Sequence, residues 1–148
     1  MSVSETSPVG GRFASLVRDQ SFKIIPEFTL ECGITLREVP VAYKTWGELN
    51  ATRDNVMVVC HAFSGSADVE EWWGPLVGPG RAMDPTKFFV FCGNILASPY
   101  GTASPLTTNP ETGKPYGPDF PPTTIRDDVR YAGHRILCFS GCRRFDPD

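Results

Sequence analysis

The residues best suited to chemistry sit in one short stretch, Asn55–Asp68, NVMVVCHAFSGSAD. Its second half, His61-Ala62-Phe63-Ser64-Gly65-Ser66, brings together an imidazole, two hydroxyls and a glycine. Small and polar residues at that density favour a tight turn with accessible backbone N–H groups. Its first half, Val56–Cys60, is an apolar run rich in β-branched residues, which suits a strand buried on both faces. A strand that ends in such a turn puts ligand contacts at the carboxyl edge of a sheet, where open α/β folds bind. An ordinary strand-to-loop junction would read the same way.

Other reactive side chains form no recognisable set. The five cysteines, Cys32, Cys60, Cys92, Cys138 and Cys142, are an odd number at wide and irregular spacing. Cys60 and Cys92 lie within apolar runs and read as small buried hydrophobes. There is no CxxC pair, and the CxxxC of Cys138 and Cys142 has only His134 nearby, so no metal site is expected. The run from Thr107 to Lys114 lacks the order of a Walker A loop, and no GxGxxG occurs.

These residues must be held by a fold, and 148 residues are enough for one domain with a core. Apolar content of 41% and charged content of 21% are those of an ordinary globular protein. A net charge of −3 gives no basic footprint for nucleic acid. No apolar run approaches the ~20 residues needed to span a bilayer. The start MSVSETSPVGGRF lacks the apolar core of a signal peptide, so a cytoplasmic location is expected. Asn50-Ala51-Thr52 matches a glycosylation acceptor and is read as chance without such a signal.

The chain divides into a flexible arm over residues 1–20, a domain over 21–130 and a tail over 131–148. Phe28–Glu31 and Thr35–Glu38 flank Cys32-Gly33-Ile34 as a hairpin or sharp turn, and Val41–Leu49 reads as a further strand. Asn50–Asn55 is a turn into the central strand. Trp72 and Trp73 precede Gly74-Pro75, which stops any helix there. Such a pair is read as core anchors in preference to a pocket wall. Phe88–Ile95 is a second buried strand, and the spacing from Val56 predicts a βαβ unit. Val41–Trp46 is then expected antiparallel beside Phe88–Gly93. Leu96–Pro122 is a proline-rich loop long enough to be functional or disordered. Thr123 or Thr124 can cap a helix that carries Asp127 and Asp128 in its first turn. Ile136–Phe139 is read as a short strand at most.

Four stretches together resemble one family. They are HAFSGSAD, WWGPLVGPGRAMDPTKFFVFCGN, ASPYGTASPLTTNPETGKPYGPDFP and TTIRDDVR, all between Phe22 and Arg130. In this order and spacing they are similar to the amino-terminal half of homoserine O-acetyltransferases, a branch of the α/β-hydrolase superfamily. The acetyltransferase acting on deacetylcephalosporin C looks similar over the same region. The resemblance implies an α/β fold, the amino-terminal part of an α/β-hydrolase domain, with a mixed, mostly parallel and incomplete sheet. It implies transfer of acetyl from acetyl-CoA to the hydroxyl of homoserine, in methionine biosynthesis, through a Ser acyl-enzyme with a His base and an orienting Asp. Covalent transfer splits one difficult step into two easier ones. One oxyanion donor in such enzymes comes from the loop after the third strand. By resemblance that loop is His61–Gly65, the donor is the backbone N–H of Phe63, and His61 and Gly65 shape the turn.

The family also requires a Gly-x-Ser-x-Gly elbow, and none occurs in these residues; Ser140-Gly141 is not that motif. No residue here is therefore assigned as nucleophile, base or orienting acid, and the chain is expected to be inactive alone. After Arg130 the likeness stops abruptly, which suggests a truncated or mis-spliced product. Acetyl-CoA is expected as co-substrate, with a small hydroxy amino acid as acceptor. No resident cofactor, metal, nucleic acid or membrane partner is expected. A homodimer, or aggregation through an open strand edge, is the self-association anticipated. The competing readings are an α/β-hydrolase esterase, a deacetylcephalosporin C-type acetyltransferase fragment and a non-catalytic remnant domain.

Overall fold

A computed structural model describes residues 11–140, with side chains described for 13–133. Strand β1 (Ser21–Thr29) and strand β2 (Thr35–Trp46) form the expected hairpin, from Ser21 opposite Tyr43 to Thr29 opposite Thr35. The two segments expected separately at Thr35–Glu38 and Val41–Leu49 are one strand. Strand β3 (Val56–Val59) lies parallel to strand β4 (Phe89–Gly93), and β4 lies antiparallel to β2. The order is β1-β2-β4-β3. The parallel pair and its antiparallel neighbour stand as the sequence predicts. The balance within the sheet does not. Antiparallel pairings outnumber the single parallel one among the described residues, because only β3 and β4 are joined by a crossover.

The core falls into two clusters, one built mainly on the hairpin and the other on the parallel pair. In one Phe28, Leu36, Val39 and Val41 pack with Leu96, Ala103 and Tyr131. In the other Val59, Val90 and Cys92 pack with Ala67, Val69, Val77 and Met83. The crossover is short and broken, as Gly74-Pro75 requires: helix α2 (Val69–Trp73) runs into a 3₁₀ turn over Gly74–Leu76.

Strand β3 is not buried on both faces. Val58 is 44% exposed, because β3 is the last strand and nothing described covers that face beside it. Cys60 lies past the last paired residue and is exposed, against the expectation of a buried thiol, whereas Cys92 on β4 is buried. Burial pushes the Cys92 thiol up to about 12, so it stays protonated and inert.

Helix α3 (Ile125–Ser140) begins at Thr124. The Thr124 hydroxyl accepts the Asp127 N–H at 3.1 Å, and the Asp127 carboxylate accepts the Thr124 N–H at 3.1 Å. This reciprocal pair satisfies two of the donors that a helix start leaves open. The helix passes the boundary set at residue 130, and Tyr131 is part of the core. Ile136–Phe139 is helical, not a strand: once a helix is nucleated each further residue adds a hydrogen bond, and no proline intervenes before Ser140. The remainder of the tail, with Cys142, lies outside the described residues. A short helix α1 (Gly11–Ala14) falls within the expected arm. Ala14 and Val17 are buried, and Gln20 bonds to residues far along the chain, so this part of the arm is packed. No helix among the described residues is long and apolar enough to cross a membrane.

Candidate functional site

The turn after β3 stands where the sequence places it, at the carboxyl ends of the parallel pair. The Gly65 N–H donates to the Ala62 C=O at 2.7 Å, which closes a β-turn with Phe63 and Ser64 at its centre. Neither central residue has a positive φ, as in a type I turn. The closing bond occupies the fourth residue's N–H and leaves that of the second free. Among the described residues the Phe63 N–H donates to no protein acceptor. The Phe63 side chain is 96% exposed and contributes little to holding the turn. Gly65 allows close approach, since a Cβ there would stand a tight 3.1 Å from the Ala62 carbonyl oxygen.

His61 is almost fully buried, at 7% exposure. The Ile95 N–H donates to its Nε2 at 3.2 Å, so Nε2 carries no proton. Nδ1 holds the proton and donates it to the Ala62 C=O at 2.8 Å. Both ring nitrogens are thus committed to backbone, one to the turn and one to the exit of β4. That fits the shaping role and leaves no free nitrogen for proton transfer.

The far side of the turn is anchored as firmly. The Asn94 carboxamide oxygen accepts the Ala67 N–H at 2.7 Å. The Ser66 hydroxyl accepts the Asp68 N–H at 3.2 Å. Lys44 of β2 reaches Asp68 at 2.9 Å in a mostly buried ion pair. A buried charge that loses its partner is costly, so this pair fixes the start of α2. Asn94 and Asp68 each end one of the stretches that carry the resemblance, but nothing in the sequence assigns either a role, and Lys44 lies outside those stretches. The only local signal is a polar residue at the end of an apolar strand.

An open cleft of about 610 Å³ lies over the turn. Ala62, Ser64, Gly65 and Ser66 line it, with Leu16, Val17, Trp72 and Tyr100. Trp72 is both a wall of this cleft and packed against the core, so the two readings of the Trp pair hold together for it. Its Nε1 is buried with no acceptor among the described residues. Trp73 is 44% exposed and anchors no core.

The long loop after β4 is ordered. The Ala103 N–H donates to the Pro40 C=O at 3.0 Å, and the Ala97 N–H to the Ala103 C=O at 2.8 Å. The Thr102 hydroxyl accepts the Ala42 N–H at 3.1 Å and lies 3.0 Å from the Tyr131 hydroxyl. At the loop's start the Leu96 N–H donates to Asp128 at 2.8 Å. Burial, opposed by that bond, raises the Asp128 carboxyl above the usual aspartate value. Among the described residues no three His, Cys, Asp or Glu side chains are grouped to hold a metal.

Comparison with known proteins places these features. No family model matches the chain. It is 60% identical over 126 residues to the homoserine O-acetyltransferase of Cryptococcus neoformans var. grubii, covering 85% of this chain and 24% of that protein. The chain therefore spans about a quarter of the length of the curated relatives it matches. A crystal structure of homoserine O-acetyltransferase from Bacillus anthracis superimposes with a TM-score of 0.72 at 33% identity, covering 86% of this chain and 38% of that one. The crystal structure of esterase E22 also gives 0.72, at 34% identity, covering 83% and 38%.

Proposed function

We propose that this chain, which belongs to the homoserine O-acetyltransferase family with its α/β-hydrolase fold, supplies the oxyanion-binding turn of an acetyl-transfer site. The observation that carries the reading is the free Phe63 N–H at the second position of a closed β-turn, at the carboxyl edge of the parallel strands. In the full-length protein a serine from outside these residues attacks the acetyl thioester. The Ser O–C bond forms, the carbonyl oxygen takes negative charge, and the Phe63 N–H meets it. Collapse breaks the C–S bond, and CoA leaves as its thiol after taking up a proton. The homoserine hydroxyl then gives up its proton and attacks the acyl-enzyme, and the same donor meets the second oxyanion. Its collapse breaks the Ser O–C bond, the serine takes back a proton and the O-acetyl ester leaves. A donor fixed in advance at that position favours the transition state over the ground state.

The turn's anchoring supports this reading. His61, Asn94 and Gly65 hold it without using the Phe63 amide. The likeness to esterase E22 favours a second reading, in which water replaces homoserine as acceptor. The oxyanion turn serves both equally, because the choice of acceptor is made elsewhere. The two are told apart with the full-length protein carrying this chain. Homoserine-dependent release of free CoA from acetyl-CoA is the expected result. Hydrolysis of acetyl esters at a rate indifferent to homoserine would replace the first reading with the second.

A further inference from the structure

Asn94 follows β4 and is fully buried, at 0% exposure. Every polar atom it carries is engaged. Its N–H donates to the Ala42 C=O at 2.9 Å, and its C=O accepts the Thr102 hydroxyl at 3.0 Å. Its carboxamide oxygen accepts the Ala67 N–H, and its Nδ2 donates to Gln20 Oε1 at 3.1 Å and to the Tyr100 C=O at 3.0 Å. Gln20 Nε2 donates in turn to the Ala14 C=O at 2.8 Å and to the same Tyr100 carbonyl at 3.0 Å.

The three segments joined in this way are distant in sequence and meet at the cleft. Ala67 lies two residues past Gly65, which closes the oxyanion turn. Tyr100 lines the cleft, as do Leu16 and Val17, which lie between Ala14 and Gln20, the residues joined by the Gln20 side chain. An apolar residue at 94 would fill the volume but leave buried donors and acceptors unpaired, which is costly. A fully satisfied buried network of this kind specifies one geometry where an apolar core would tolerate several.

We propose that Asn94 is a positioning residue of the acyl-transfer site. Its carboxamide holds Ala67, two residues past the Ala62–Gly65 turn, and so fixes the exit of that turn, and with it the Phe63 N–H, against the Gln20 and Tyr100 segments. The assignment rests on the oxyanion reading of Phe63. Asn94 does not touch the reacting atoms; it sets where the donor stands. Displacing a catalytic group by about 1 Å costs up to roughly 10²-fold in rate.

The test is a kinetic cycle in the full-length protein, with Asn94→Ala, Phe63→Pro and the double variant. Asn94→Ala is expected to lower kcat by about 10–100-fold with KM changed less than about threefold. The double variant should fall no more than about threefold below Phe63→Pro, because without the donor Asn94 has nothing to position. An unchanged kcat in folded Asn94→Ala, or losses that multiply in the double variant, overturns the assignment and leaves the oxyanion reading standing. An intact kcat in Phe63→Pro overturns both. If Asn94→Ala does not fold, Gln20→Leu takes its place, since it removes only the outer half of the network. It is expected to lower kcat about 3–10-fold, again absorbed in the Phe63→Pro background, and no change in kcat overturns the proposal.

Discussion

The imidazole of His61 accepts the backbone N–H of Ile95 at 3.2 Å, tying the turn after one parallel strand to the exit of the other. Its remaining nitrogen is spent on the Ala62 carbonyl. A histidine beside the proposed oxyanion turn invites the role of general base, but this one has no nitrogen left to play it. His61→Gln keeps an acceptor near the Nε2 position, so the account expects turnover within about tenfold of the unaltered protein. Loss of a general base costs on the order of 10²–10⁴-fold, and a fall of that size in a folded His61→Gln protein would contradict the shaping role. His61→Ala leaves the Ile95 N–H unpaired and should cost about 1–3 kcal/mol in chemical denaturation.

Asp128 sets a pH dependence on the loop that leaves β4. Burial raises its pKa in the folded protein, and the neighbouring Asp127 adds to this; the Leu96 N–H opposes it. A raised folded value favours folding while the carboxyl is protonated in both states. That contribution is lost as pH rises from the usual aspartate value through the folded one. Asp128→Asn keeps the acceptor for Leu96 without the buried charge. It should therefore be more stable than the unaltered protein at neutral pH, with the advantage shrinking as pH falls below the usual aspartate value. Part of the advantage is offset by the lost interaction of an anion with the helix start. Denaturation midpoints at pH 7 and pH 3 check this, and an advantage that grows in acid would refute it.

The outer edge of β3 makes a prediction about the 148 residues by themselves. Among the described residues β3 pairs with β4 alone, and Val58 beside that edge is largely exposed. An apolar strand with one open edge is a template for pairing with another copy. The isolated polypeptide should self-associate, and Val58→Lys should reduce this in light scattering. It should also show no homoserine-dependent release of CoA, since it contains no Gly-x-Ser-x-Gly from which a nucleophile could act. A monodisperse monomer would count against the first statement and measurable turnover against the second.

The parallel pair was legible because Val56–Val59 and Phe89–Gly93 are short apolar runs separated by a crossover's length of punctuated chain. The turn was legible because small polar residues follow such a run at once. What escaped the sequence is decided by tertiary partners. Val58 reads as buried by composition, yet it lies on the last strand. Cys60 has the type of a buried residue but sits one step past the paired register. Ile136–Phe139 carries β-compatible residues, but a helix already nucleated at Thr124 passes through them. Asn94 and Gln20 are 74 residues apart, and no local pattern announces that one carboxamide will join them.

The central claim is that the backbone N–H of Phe63, not its ring, serves the reaction, and the pair Phe63→Ala and Phe63→Pro measures it most directly. The ring is solvent-exposed, so alanine removes little packing and keeps the amide. Proline suits the second position of a type I turn, so it deletes the amide without requiring a new backbone shape. In a complete family member carrying these residues, Phe63→Ala should keep kcat within a few-fold, whereas Phe63→Pro should lose about 10²–10³-fold, the usual consequence of removing one oxyanion donor. Equal losses in both variants, with folding intact in each, would show that the side chain and not the amide does the work.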